Sequence, residues 1–138
     1  MTTHELLDDL AAARDEFMAA VARAGDDRAR EMIAHVGYWA GSAVEAIQAS
    51  EEGRASSFGS ARPPTDVVNE AVARVARHTD LATVRKREAA SFDALIERLG
   101  RLEPTLLSAT LSDGATLELG LREDGAEHYR EHAAELLA

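Results

Sequence analysis

Two histidines near the end of the chain have a spacing that suits metal coordination. His128 and His132 stand four residues apart in the segment Glu-His-Tyr-Arg-Glu-His. On an α-helix their side chains would share one face and lie about 6 Å apart along the axis. Both imidazoles could then bind one divalent ion. The alternative is a pair of solvated histidines on an acidic helix, because pairs with this spacing also arise by chance.

His35 is the third candidate ligand. It precedes Val-Gly-Tyr-Trp and lies roughly 110° around its predicted helix from the centre of the apolar stripe. A residue at the edge of a stripe faces the groove between two helices, where a metal or ligand site has apolar walls and an open mouth. The alternative is an interfacial histidine that is hydrogen-bonded to a neighbour.

Composition limits the chemistry and the partners. The chain has no cysteine, so any metal site must use His, Asp or Glu, and any thiol must come from another molecule. A formal net charge of −10 would repel a phosphate backbone, which predicts no nucleic-acid binding. No stretch approaches the roughly 18 consecutive apolar residues of a membrane span, and the N-terminus lacks a signal-peptide pattern. We therefore expect a cytoplasmic protein with no membrane partner.

Helical periodicity predicts an all-α protein, a four-helix bundle that forms a single domain over residues 1–138. Aromatic residues make up only 4% of the chain, and strand-forming residues are scarce. The interruption at residues 78–80 leaves two alternatives for the third helix, one kinked helix or two abutting segments. The predicted helices are helix 1 from the Thr2 cap to Gly25, helix 2 from Asp26 to about Glu52, helix 3 from Pro63 to Gly100, and helix 4 from about Asp124 to the C-terminus.

Two segments between these helices have other patterns. Residues 53–62 are rich in Gly and Ser and lack periodicity, which predicts an exposed crossover loop after helix 2. Residues 110–119 alternate around an Asp-Gly turn signal, which predicts a small β-hairpin before helix 4.

The order of these features resembles the DinB/YfiT-like superfamily of four-helix bundles, and within it the ClbS/DfsB branch. The segments His35-Val36-Gly37-Tyr38-Trp39 and His128-Tyr129-Arg130-Glu131-His132, with a long third helix between them, carry the resemblance. It spans nearly the whole chain apart from residues 106–121. In that superfamily a histidine of the second helix and a His-x-x-x-His pair of the fourth commonly bind zinc, nickel or a similar divalent ion. The resemblance therefore implies a metal site formed by His35, His128 and His132.

Such a site favours two kinds of chemistry. Three neutral imidazoles leave an open coordination position for water, a thiol or a substrate oxygen. Coordination lowers the pKa of water to about 7 in favourable cases and also favours a thiolate. The resemblance implies detoxifying hydrolysis of a small electrophilic metabolite, or S-transfer with a low-molecular-weight thiol cosubstrate such as mycothiol. It equally implies the alternative of a non-catalytic protein that binds or sequesters reactive metabolites, and it favours a homodimer.

Aromatic and acidic residues near the predicted mouth are the remaining candidates, and no catalytic residue is assigned beyond the metal ligands. The alternative for each is ordinary packing or a solvated surface position, and a lone tryptophan beside an apolar stripe is typical of a core anchor. The candidate substrate-pocket residues are Tyr38, Trp39 and Tyr129. The carboxylates that could orient an imidazole or move a proton are Glu31, Glu45 and Glu131.

Overall fold

The periodic apolar residues form helices along most of the chain in the computed structural model, which describes residues 1–138 and confirms the predicted all-α fold. The long helices pack around one apolar core as a helical bundle. The helices are α1 (Thr3–Ala24), α2 (Asp26–Glu51), α3 (Thr65–Arg77), α4 (Leu81–Gly100), α5 (Leu117–Arg122) and α6 (His128–Leu137), with short 3₁₀ turns at Ala55–Ser57 and Pro104–Ser108.

Helix α1 begins and ends where the sequence predicts. The Thr2 hydroxyl accepts a hydrogen bond from the backbone N–H of Glu5, and the Glu5 carboxylate accepts one from the N–H of Thr2, so two unpaired donors of the first turn are satisfied. Gly25 ends α1 with a φ of 91°, a conformation that glycine adopts without strain. Because α2 starts at the next residue, the two helices are antiparallel neighbours.

The bundle core consists of α1, α2, α4 and the C-terminal helical run. Helix α2 packs mainly against α4, and α1 packs mainly against α6. Arg130 fixes the second pair, because its guanidinium binds the carboxylates of Asp9 at 2.7 Å and Glu16 at 3.1 Å. Of the two alternatives for the predicted third helix, the structure has two separate segments. Helix α3 ends at Arg77, and the Asp80 carboxylate caps the start of α4. Helix α3 packs on α2 at the side of the bundle.

The predicted hairpin before the last helix is wrong. Only an isolated antiparallel bridge joins Thr110 to Thr116, and the chain becomes helical at Leu117. The Thr116 hydroxyl caps this helix by accepting from the N–H of Leu119 at 3.1 Å. Leu117 and Leu121 are buried, with 0% and 5% of their surface exposed, so their spacing of four residues, which suits a helix, outweighs the alternation. The C-terminal helical run therefore begins at Leu117, earlier than the predicted start near Asp124.

A π-helical turn separates α5 from α6. It spans Glu123–Glu127, and Gly125 within it has non-helical angles of φ −103° and ψ −105°. A π-turn holds about one residue more than an α-turn, so it changes the angular position of every residue that follows. Gly125 also lies close to α1, because a Cβ atom there would be 3.3 Å from Cδ1 of Leu10. The turn ends directly before His128 and thus sets the direction in which α6 presents its histidines.

Candidate metal centre

The structure brings the three predicted metal ligands together. His35 comes from the middle of α2, and His128 and His132 come from successive turns of α6. Nε2 of His35 lies 3.1 Å from Nε2 of His128, and one ring nitrogen from each of the three imidazoles lies within 4.8 Å of the others. Nitrogens around a tetrahedral zinc ion lie roughly 3.3 Å apart. Three half-buried histidines could therefore hold one metal ion after small side-chain rotations.

Two nitrogens of this cluster are buried without a hydrogen-bond partner. They are Nδ1 of His128 and Nε2 of His132. Buried polar atoms are nearly always hydrogen-bonded, and one left unpaired costs about 1–3 kcal/mol. The contact between Nε2 of His35 and Nε2 of His128 can satisfy only one donor and one acceptor. The unpaired Nε2 of His132 is thus available as the third ligand of an ion.

Burial keeps two of the imidazoles neutral. Burial, together with the charges of His132 and His128, lowers the pKa of His35 to about 4. Burial likewise lowers the pKa of His128 to about 4, again with a contribution from His132. A neutral imidazole has the lone pair that a metal ion needs. The two histidines are therefore in the coordinating form at neutral pH without first losing a proton.

Glu135 orients one of the ligands. One of its carboxylate oxygens lies 3.1 Å from Nδ1 of His132, so Nδ1–H donates and Nε2 of the same ring is left as the acceptor. Metal-binding histidines commonly donate their second nitrogen to a carboxylate in this way, which fixes the tautomer and the ring direction. Glu135 stands three residues after His132 on the same helix, a spacing that could have identified it from the sequence.

A cavity of about 370 Å³ adjoins the cluster at His128. Trp39 forms part of its wall, with its ring centroid 6.1 Å from that of His128, and its indole N–H donates to the side-chain oxygen of Asn69 at 2.9 Å. No other cavity of the structure is lined by one of the three histidines. A substrate would therefore reach the metal ligands from this side.

Known proteins do not assign this site. No family model, curated protein or solved structure matches the chain. The resemblance to DinB/YfiT-like bundles accordingly stays a prediction from the sequence, and the interpretation of the site depends on its own geometry.

The aromatic residues predicted at the mouth line different parts of the structure, although the Tyr38 and Trp39 rings contact each other with their centroids 5.2 Å apart. Trp39 lines the cavity at His128 and is also nearly buried, with 6% of its surface exposed. Tyr38 lines a different, apolar cavity between α2, α3 and α4. Tyr129 is fully buried, and its hydroxyl donates to the carboxylate of Glu88 at 2.6 Å. Of the three predicted aromatic residues, only Trp39 therefore lines the same cavity as a candidate metal ligand.

None of the predicted carboxylates forms a hydrogen bond or an ion pair with a histidine of the cluster. Glu31 forms an ion pair with Arg77, and Glu45 and Glu131 are exposed. The acidic residues that line the cavity are instead Asp113, Glu123 and Asp124. Of these, Asp124 lies in the π-turn, where burial raises the pKa of its carboxyl to about 7. Sequence reasoning missed it because the π-turn that orients it has no pattern in the sequence.

None of the helices combines the length and the apolar composition needed to cross a bilayer.

Proposed function

We propose that the chain is an enzyme of the DinB/YfiT-like kind that depends on a divalent metal, zinc or nickel, and acts on a small electrophilic metabolite. One observation carries the proposal. Three ring nitrogens from two helices converge within 4.8 Å, although two ring nitrogens of the cluster are buried and unpaired. A folded chain that accepts this cost without a ligand would be unusual.

The residues have separate roles in this function. The three histidines hold the ion, and Glu135 fixes the tautomer of His132. The Trp39 ring forms an apolar wall of the cavity beside His128, with the two ring centroids 6.1 Å apart. When bound, a divalent ion supplies Lewis acidity, which activates water for hydrolysis or a thiol for transfer. Because the chain has no cysteine, a low-molecular-weight thiol would enter as a cosubstrate.

One observation favours a second candidate, a protein that binds or sequesters its metabolite without turnover. The carboxylates predicted to move protons, at positions 31, 45 and 131, lie on the surface or pair with other residues. The carboxyl groups at the cavity are those of Asp113, Glu123 and Asp124, and none of them is hydrogen-bonded to a ring nitrogen of the cluster. The two candidates share the metal centre and differ in whether bound substrate reacts.

Metal analysis of protein purified without a polyhistidine tag tests the shared part. We expect about one zinc or nickel ion per chain, and loss of that ion in the variants His35→Ala, His128→Ala and His132→Ala. His4→Ala and His78→Ala are matched controls that should keep it, since neither histidine belongs to the cluster. Protein that takes up no metal, or takes it up independently of the three histidines, would overturn the proposal.

Turnover then separates the two candidates. The metal-loaded protein is assayed for conjugation of a thiol to 1-chloro-2,4-dinitrobenzene and for hydrolysis of 4-nitrophenyl acetate. The enzyme function predicts turnover that disappears in His128→Ala and in metal-free protein. Stoichiometric binding of the electrophile without turnover would instead favour the sequestering function.

A further inference from the structure

Arg62 is held rigidly in the cavity beside His128. Its guanidinium lies 5.2 Å from the ring of Trp39 and 5.3 Å from that of Phe58, and it donates to the hydroxyl of Ser42 at 2.9 Å. Two prolines follow it, which restricts the backbone of Arg62 itself. A guanidinium stacked on aromatic rings and fixed by a buried serine loses little freedom when it binds a ligand.

Most of the N–H donors of Arg62 have no hydrogen-bond acceptor in the structure. A guanidinium carries five N–H donors, and the bond to Ser42 uses one of them. Arg62 forms no ion pair in the structure, whereas Arg54 in the same loop pairs with Glu52 at 2.9 Å. A planar fork of free N–H groups matches a carboxylate, which it can bind with two parallel hydrogen bonds.

The acidic residues of the same cavity do not form ion pairs with the Arg62 guanidinium. Asp113 accepts from the N–H of Ala115 and so belongs to its own turn, and Glu123 is exposed. Asp124 lies near Arg62, but its carboxyl group forms neither a hydrogen bond nor an ion pair with the guanidinium.

We propose that the cavity admits a substrate with a carboxylate at one end, which Arg62 binds while the other end reaches the metal-binding histidines. Arg62 lies 5.2 Å from the Trp39 ring, and that ring lies 6.1 Å from the His128 imidazole, so one small molecule can contact both. A volume of about 370 Å³ falls within the range of small-molecule sites. The position of the reacting end rests on the proposed function, whereas the carboxylate site at Arg62 does not.

The first experiment uses protein loaded with cobalt(II), because thiolate binding to cobalt gives a near-ultraviolet charge-transfer band. The protein is titrated with 6-mercaptohexanoate, 6-mercaptohexanol and 6-aminohexanethiol, and with the three-carbon analogues. We expect the carboxylate of at least one length to bind roughly ten- to a hundredfold more tightly than its alcohol, as charge-assisted hydrogen bonds would give. That preference should vanish in Arg62→Gln, while the affinity for the alcohol stays unchanged.

The second experiment uses metal-free protein, so that it does not depend on the metal centre. Trp39 is the only tryptophan of the chain and contacts Arg62, so its fluorescence reports on the cavity. Hexanoate should change the fluorescence at a lower concentration than hexanol or hexylamine. Arg62→Gln should abolish this preference, and Arg54→Gln, a matched loop variant, should keep it.

The two experiments distinguish the possible failures. A carboxylate preference in metal-free protein together with no cobalt binding would overturn the metal-dependent function but support the carboxylate site. Equal affinities for the acid and the alcohol in both experiments would overturn the carboxylate site. Tighter binding of the amines would also overturn it, since Asp113, Glu123 and Asp124 would then dominate the cavity.

Discussion

Two polar clusters lie side by side in this bundle, and consecutive residues of α6 belong to them. His128 joins the histidine cluster, in which two nitrogens are buried without partners. Tyr129 joins a buried ion-pair network in which Arg14 donates to both oxygens of Glu88, at 2.9 and 2.7 Å, and the tyrosine hydroxyl donates at 2.6 Å. Both carboxylate oxygens of Glu88 and the hydroxyl of Tyr129 are hydrogen-bonded. The network is therefore complete without a ligand.

The difference separates a structural polar cluster from a candidate site. A complete network adds to the rigidity of the core, and it needs nothing from solution. An incomplete cluster carries a cost, and an ion bound to Nε2 of His132 would remove the part of it that arises at that nitrogen. The pairing of the buried polar atoms is therefore the property that distinguishes the two clusters, since both use residues of α6.

The largest expected effect is on the complete network. Glu88→Ala leaves the Tyr129 hydroxyl and the Arg14 guanidinium without their partner, and breaking a buried pair in this way costs about 3–5 kcal/mol. We expect a decrease of that size in the free energy of unfolding measured with urea. The folded fraction should still bind metal.

An exposed glutamate on the same helix provides the control. Glu97 pairs with Arg101 at the surface, so Glu97→Ala should change the stability by less than about 1 kcal/mol. If Glu88→Ala instead removed the metal and left the stability unchanged, the network would belong to the site and the comparison would fail.

An intermediate effect is expected on the pH dependence of the metal-free protein. The pKa values of His35 and His128 are about 4 in the folded chain and about 6.5 in the unfolded chain. The unfolded chain therefore binds more protons between these values, and stability falls as the pH falls from about 6.5 to 4. Because both side chains are only partly buried, we expect a loss of about 1–3 kcal/mol.

Urea denaturation of the wild type and of His128→Ala across this range measures that loss. The variant should lose less stability than the wild type between pH 6.5 and pH 4, while His4→Ala should follow the wild type. Identical slopes for all three proteins would show that the histidine cluster does not titrate as its burial requires.

The smallest expected effect concerns Glu135. Glu135→Ala removes the carboxylate that orients His132, and the loss of such a partner typically weakens metal binding by about tenfold. Competition with a chelator of known affinity measures the change. Glu131→Ala is the control on the same helix, because its side chain is exposed and outside the cluster. Equal metal affinity in the two variants would exclude a positioning role for Glu135.

The sequence predicts the helical bundle because it depends on local periodicity. Periodicity also makes the three histidines candidate ligands, whereas their combination into one site was implied by the resemblance to DinB/YfiT-like bundles. Spacing within α6 places His128 and His132 on one face, and the stripe edge of α2 places His35 in a groove. Glu88 also carried a signal, since it occupies a position of the apolar stripe of α4, and an acid at such a position needs a buried partner.

The rest of the site depends on contacts between distant segments. Arg62 reaches Trp39 from a loop without periodicity, so no spacing indicates its direction. The alternation around Asp113-Gly114 suggested a hairpin, but burial of Leu117 and Leu121 and the cap at Thr116 favoured a helix. Local patterns could not weigh these tertiary contacts.

Because of the π-turn at Gly125, the direction in which His128 and His132 point depends on the number of residues between α5 and α6. If Glu123–Glu127 formed a regular α-turn with all five residues retained, α5 would continue into α6 with one residue too many, and every later residue would turn by about 100°. His128 and His132 would then face away from His35 while remaining four residues apart. Loss of the π-turn should thus be tolerated only together with removal of one residue, which leaves the later residues facing nearly as before, whereas insertion of one residue should turn the histidines away even where the final helix still folds.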